Sequence, residues 1–234
     1  MGDRRRRLPA RHGPQITNRD LDILGWIGTH GVVTPAQVAR HFFSRDDGEI
    51  GQWAAYRRLR KLEQLGLIRQ DRTFWKEPNV LRLTGAGARL APIDLRPAKL
   101  VLAELRHSLA LVDLVEELLA KSPKSTVVLT ERQLRIERRQ DLADGRRQPG
   151  KGRIPDALFV RGEQTVAIEL DLTPKRTRDM EAILRGYRQE RYDRVIWYVL
   201  PRQKQRLVEI VKRRRADDFV DVRAWNGATI EDKP

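Results

Sequence analysis

The stretch PDALFVRGEQTVAIELD, residues 155–171, decides how the rest of the chain is read. Two apolar runs rich in β-formers flank Gly162 and predict an antiparallel pair of strands. A strand presents alternate residues to opposite faces, so Glu169 and Asp171 share one side while Ile168 and Leu170 pack the other. The antiparallel partner can bring Asp156 opposite them. Three converging carboxylates are costly unless a cation joins them. Oxygen-only donor sets of this size suit Mg²⁺ or Mn²⁺. Such an ion polarises a phosphoryl oxygen and generates hydroxide from water, and Lys175 just beyond the strand could supply positive charge to a scissile phosphate. Neighbouring arginines are the alternative source of compensation, with Arg153, Arg176 and Arg178 as the candidates.

Around this hairpin the patterns alternate between helix and strand. Leu102, Leu105, Leu109, Val112, Val115 and Leu119 form one stripe and predict a long helix over 99–121. STVVLTERQLRI (125–136) reads as β-rich, and RRQDLADGRRQPGKGR (138–153) as a polar loop. Residues 176–191 predict a helix with Met180, Ile183, Leu184 and Tyr187 inward. RVIWYVL (194–200) reads as a strand buried on both faces, RQKQRLVEIVKRRR (202–215) as a basic helix, and FVDVRAW (219–225) as a last strand. The expectation is an α/β domain over 99–230, with helices packed on a mixed sheet.

The N-terminal part differs. Asn18 is placed to cap a helix that Gly31 ends, and Thr34-Pro35 opens a second. In GQWAAYRRLRKLEQL (51–65), Ala55, Leu59, Leu62 and Leu65 line one face of a third. LIRQDRTF and VLRLTGAGARL predict two strands around a turn at 76–79. Three helices and a hairpin over 16–92 resemble a winged helix-turn-helix, and the linker at 93–100 marks a domain boundary. The third helix turns a basic face outward, where Gln52 and Arg57 can reach base edges and Arg58, Arg60 and Lys61 phosphates. The arm 1–15, with Arg4, Arg5, Arg6 and Arg7, is expected to be disordered and to lie along a phosphate backbone or in a minor groove. Trp53, Trp197, Trp225 and Tyr198 are assigned to core or wing packing, and Trp75 to the wing tip.

Composition agrees with a polyanionic partner. Among 234 residues, 47 Lys and Arg face 32 Asp and Glu, a net charge of +15, and the sequence pI is 10.8. Cysteine is absent, which excludes disulfides, thiol nucleophiles and thiolate metal sites. Four histidines without a cluster make an all-imidazole centre improbable. No apolar run reaches the roughly 20 residues that cross a bilayer. A cytoplasmic location without membrane attachment is the expectation.

The helix, three-strand, helix, strand order, with Pro155-Asp156 and then Glu169-x-Asp171, resembles the PD-(D/E)xK (restriction-endonuclease-like) superfamily over 99–225. The resemblance implies that Asp156 and Glu169 bind a catalytic metal, and it places Asp171 where that superfamily has a lysine, with Lys175 as a substitute. An acid on the first helix would complete such a site; Glu104, Asp113 and Glu117 are the candidates, with Glu131 on the next strand. His107 could act as a base but more often such a residue is packed. The whole chain is similar to the replication-relaxation family of plasmids and integrative elements, through His107-x-Leu109, Pro155-Asp156, Glu169-x-Asp171 and the Tyr187 helix. The implied fold class is α+β / α/β, a winged helix-turn-helix followed by a nuclease-like domain. The implied function is binding of double-stranded plasmid or mobile-element DNA, with Mg²⁺- or Mn²⁺-dependent endonuclease activity. Two alternatives stay open: a non-enzymatic regulator whose degenerate nuclease-like domain forms a homodimer, and a structural partner of a relaxase or replication protein.

Overall fold

The structure, a computed structural model, describes residues 15–45, 48–74, 77–146, 152–190 and 192–227. Arg4, Arg5, Arg6, Arg7, Trp75 and the tip of the 138–153 segment lie outside the described residues.

The N-terminal unit contains α1 (Asn18–His30), α2 (Pro35–Phe43), α3 (Gln52–Gln64), β1 (Ile68–Asp71), β2 (Val80–Leu83) and the short α4 (Gly85–Leu90). Helix α1 is capped by Thr17, not Asn18: the Thr17 N–H donates to Asp20 Oδ2 at 2.6 Å and the Asp20 N–H returns to Thr17 Oγ1 at 3.3 Å. Asn18 is simply the first residue inside. Gly31, at φ +84°, ends α1, and Thr34 with Gln37 closes a capping box over Pro35. Strands β1 and β2 pair antiparallel from Ile68↔Leu83 to Asp71↔Val80, and Val33 bridges Leu81 beside them. Ile23, Leu24, Ile27, Val38, Leu59, Leu62, Ile68 and Leu81 form the core. Here α4 crosses very close to the chain before β1. A Cβ on Gly87 would lie 1.9 Å from the Leu67 carbonyl oxygen. Gly87→Ala is therefore expected to destabilise by roughly 1–3 kcal/mol or more, because rigid backbone must move; a lowered urea midpoint at constant slope checks this.

The C-terminal unit begins with a 3-10 turn (Leu102–Glu104) and α5 (Leu105–Ala120). Then come β3 (Val127–Thr130), α6 (Glu131–Ala143), β4 (Ala157–Arg161), β5 (Gln164–Asp171), α7 (Thr177–Arg188), β6 (Arg194–Val199), α8 (Pro201–Arg213) and β7 (Val220–Ala224). The five strands form one mixed sheet in the order β3-β4-β5-β6-β7. The pairs β3/β4 and β4/β5 are antiparallel, and β5/β6 and β6/β7 parallel. One face carries α7 and α8 over Ala167, Trp197 and Val199. The other carries α5 over Ala157, Phe159, Ile168, Leu170 and Tyr198.

Two expectations need correction. The β-rich reading of 125–136 holds only to Thr130; ERQLRIERRQDLA is helix α6, not strand and loop. Its start is a capping box in which Gln133 Oε1 accepts the Thr130 N–H at 3.0 Å. The predicted helix 99–121 starts at Leu105, and Leu102 is 46% exposed.

The linker 93–100 runs between the units without separating them. Val112 of α5 packs in the N-terminal core, and Leu105 and Leu109 pack against Val32 and Val80. Helix α2 docks on α5 through polar contacts. Gln37 Nε2 donates to the Leu109 carbonyl at 2.8 Å and to Asp113 Oδ1 at 3.0 Å, and His41 Nδ1 lies 2.6 Å from Glu116 Oε2. Arg132 of α6 donates to the Gly28 and Arg96 carbonyls at 3.1 and 2.6 Å.

Candidate functional site

Strand β5 and the chain entering β4 bring Asp156, Glu169 and Asp171 onto the sheet face that α7 and α8 cover. Ile168 and Leu170 point to the α5 side, as the alternation requires. Asp156 accepts the Leu170 N–H on Oδ2 at 2.8 Å, which extends the β4/β5 ladder with a side chain. Its other oxygen lies 3.6 Å from His107 Nε2.

Each acid has its own partners. Glu169 is 1% exposed; it pairs with the Arg153 guanidinium and accepts the Tyr187 hydroxyl. Asp171 pairs with Lys175 and accepts the Trp197 indole N–H at 3.1 Å. Of the three arginines expected near these acids, Arg153 is the one with this role, whereas Arg178 reaches Asp179. Glu104, Asp113, Glu117 and Glu131 do not join the cluster. Asp113 serves the α2 contact, Glu117 bonds Lys121 and the Trp225 indole, and Glu131 pairs with Arg135. The α5 residue that does reach the cluster is His107. Its position two residues before the buried Leu109 gave no sign of which acid it would meet.

Burial and the Asp156 charge push Glu169 up to about 7, against the pull of Arg153 and Tyr187. Burial raises Asp171 too, with Lys175 and Trp197 opposing. Burial would lower His107, but the bond and charge of Asp156 prevail and hold it above its ordinary value. These shifts have one sign for stability. Folded Glu169 keeps its proton at pH values where the unfolded chain has lost it, so its contribution falls as pH rises from its ordinary value of 4.5 to about 7. The His107 contribution is complete below its ordinary 6.5 and is lost as pH rises through its raised folded value. The melting temperature should therefore fall between pH 5 and pH 8, and His107→Gln should flatten part of that slope.

The acids do not form an ion cage in this arrangement. The Glu169 and Asp171 oxygens hold protein donors, and Arg153 and Lys175 stand beside them as the cations. Among the described residues, no group of three or more His, Asp or Glu is placed to hold a metal ion. The donor set as paired does not fit Mg²⁺ or Mn²⁺, and no hydrolytic step follows from it.

A second arrangement lies on α3. Ala55, Leu59 and Leu62 are buried, and the opposite face exposes Gln52, Trp53, Tyr56, Arg57 and Arg60, with Lys61 half-buried. This face borders an open cleft of about 640 Å³ that Pro35 and Gln70 also line. Among the described residues, Arg57, Arg60 and Lys61 pair with no acid. Arg58 does not share this face: it turns inward to the fully buried Asp20 and donates to the Gln15 carbonyl at 3.2 Å. Trp53, assigned from the sequence to packing, is 86% exposed, whereas Trp197, Tyr198 and Trp225 are buried as expected.

The sequence model of the family described as replication-relaxation matches residues 24–196, which takes in α3 and the carboxylate strand alike. No curated protein and no solved structure matches the chain. No helix among the described residues is long and apolar enough to cross a membrane.

Proposed function

The chain belongs to the replication-relaxation family, which fits a role in plasmid or mobile-element replication; from that premise we propose that it binds duplex DNA through its N-terminal unit, read as a winged helix-turn-helix. The observation that carries this reading is the exposed α3 face, where Gln52, Arg57 and Arg60 have no partner among the described residues in a molecule of net charge +15. Free guanidinium groups at helical spacing reach phosphates and the guanine edge. The carboxylate cluster acts as internal scaffolding in this reading. Arg153 and Lys175 neutralise it from within, and the Tyr187 hydroxyl on Glu169 ties β5 to α7. The protein is then a DNA-binding accessory rather than a nuclease.

The test uses the full chain, random-sequence duplex and supercoiled plasmid. Binding should weaken steeply with salt, as counterion release requires, and the plasmid should stay intact with Mg²⁺ or Mn²⁺. Nicking that Asp156→Ala with Glu169→Ala abolishes would overturn the scaffolding role. Binding indifferent to salt would overturn the DNA role and favour a protein partner.

A further inference from the structure

A chamber of about 200 Å³ lies between α7 and α8, where β5 and β6 end at Asp171 and Val199. The C-terminal ends of parallel strands are a common place for ligands in open α/β sheets. Its floor is apolar, built by Met180 and Leu207. Its rim is cationic: Lys175, Arg202 and Arg206 face a single carboxylate, Asp171, which Lys175 and Trp197 already hold. Thr177 Oγ1 accepts from Arg206 at 3.1 Å and steadies it at the mouth. Arg202 is exposed and, among the described residues, pairs with no acid. Gln203 also lines the chamber, and among the described residues its buried Nε2 has no hydrogen-bond partner. Buried donors are almost always satisfied, so this one calls for an acceptor.

These features select the ligand. An inorganic anion would use the rim and leave the apolar floor wet. An apolar molecule would leave two guanidinium groups and the Gln203 amide idle. A flat heterocycle bearing ring acceptors, joined to a phosphate, satisfies all three. We infer that the chamber binds one nucleoside monophosphate unit, with the base inward against Met180 and the Gln203 amide and the phosphate on Arg202 and Arg206. That unit is either a free nucleotide or an unpaired nucleotide at a DNA strand end. The inference goes beyond the duplex-binding reading and does not depend on α3.

Calorimetry on the full chain with the four deoxynucleoside monophosphates, their nucleosides and inorganic phosphate tests it. At least one nucleotide should bind ten-fold or more tightly than either of its halves. R202E should weaken that binding ten-fold or more, and Q203L several-fold, while R57A/R60A leaves it unchanged. The source is read by competition. A duplex with one unpaired terminal nucleotide that displaces the nucleotide better than a blunt duplex identifies a strand end; equally poor displacement by both identifies the free nucleotide. Equal affinity for nucleotide and inorganic phosphate, or binding untouched in R202E, overturns the inference, and neither result bears on duplex binding by α3.

Discussion

Arg153→Met should destabilise the protein more at pH 8 than at pH 5, reaching about 3–5 kcal/mol at the higher pH, the usual cost of stripping one partner from a buried ion pair. Glu169 is 1% exposed, so without the guanidinium its charged form has no compensation beyond the Tyr187 hydroxyl. At pH 5 the carboxyl already carries its proton, and the loss is mainly that of packing and hydrogen bonds. At pH 8 the carboxylate must either stay charged in an apolar setting or hold its proton against the solvent. R153M/E169Q should recover a large part of the loss, because a neutral amide needs no cation. Urea midpoints at the two pH values measure this. Equal destabilisation at both would mean that Glu169 is not the group left uncompensated.

Replacing Arg57 and Arg60 together with alanine should weaken duplex binding by roughly 10–1,000-fold at low salt and lower the salt slope by about 2, near 0.9 for each lost phosphate contact. The melting temperature should hardly change, since both side chains are exposed and pair with no acid among the described residues. Arg58→Ala should do the reverse. It removes the partner of the fully buried Asp20, so stability falls while the salt slope stays near that of the parent. Titrations across a salt series, with melting curves of the same preparations, separate the two arginine types. A slope unmoved in the Arg57/Arg60 variant would take α3 out of the interface.

The contrast between Arg57 and Arg58 shows where sequence reading stops. Period and alternation placed β4, β5 and α7 correctly, and they fixed that Glu169 and Asp171 share a face, because these are local properties of the backbone. Arg58 borders the apolar stripe of α3, and whether it looks out or in depends on Asp20, 38 residues away in the chain. Helix α6 was obscured for another reason. Leu134 is its one buried residue, so there is almost no stripe to detect, and Thr130-x-x-Gln133 was the available mark of its start. Trp53 misled because aromatic character predicts burial only on average. The partners of the three acids were partly legible: Arg153 stood among the named candidates, but choosing it over Arg176 and Arg178 required the course of the chain before β4.

Helix α5 supplies side chains to the apolar interiors of both units. Division of the chain near residue 98 would leave the first fragment with a greasy flank where Val112 and Leu109 had been, and self-association would follow from that bare surface. Heating or denaturant should accordingly melt the intact chain in one step.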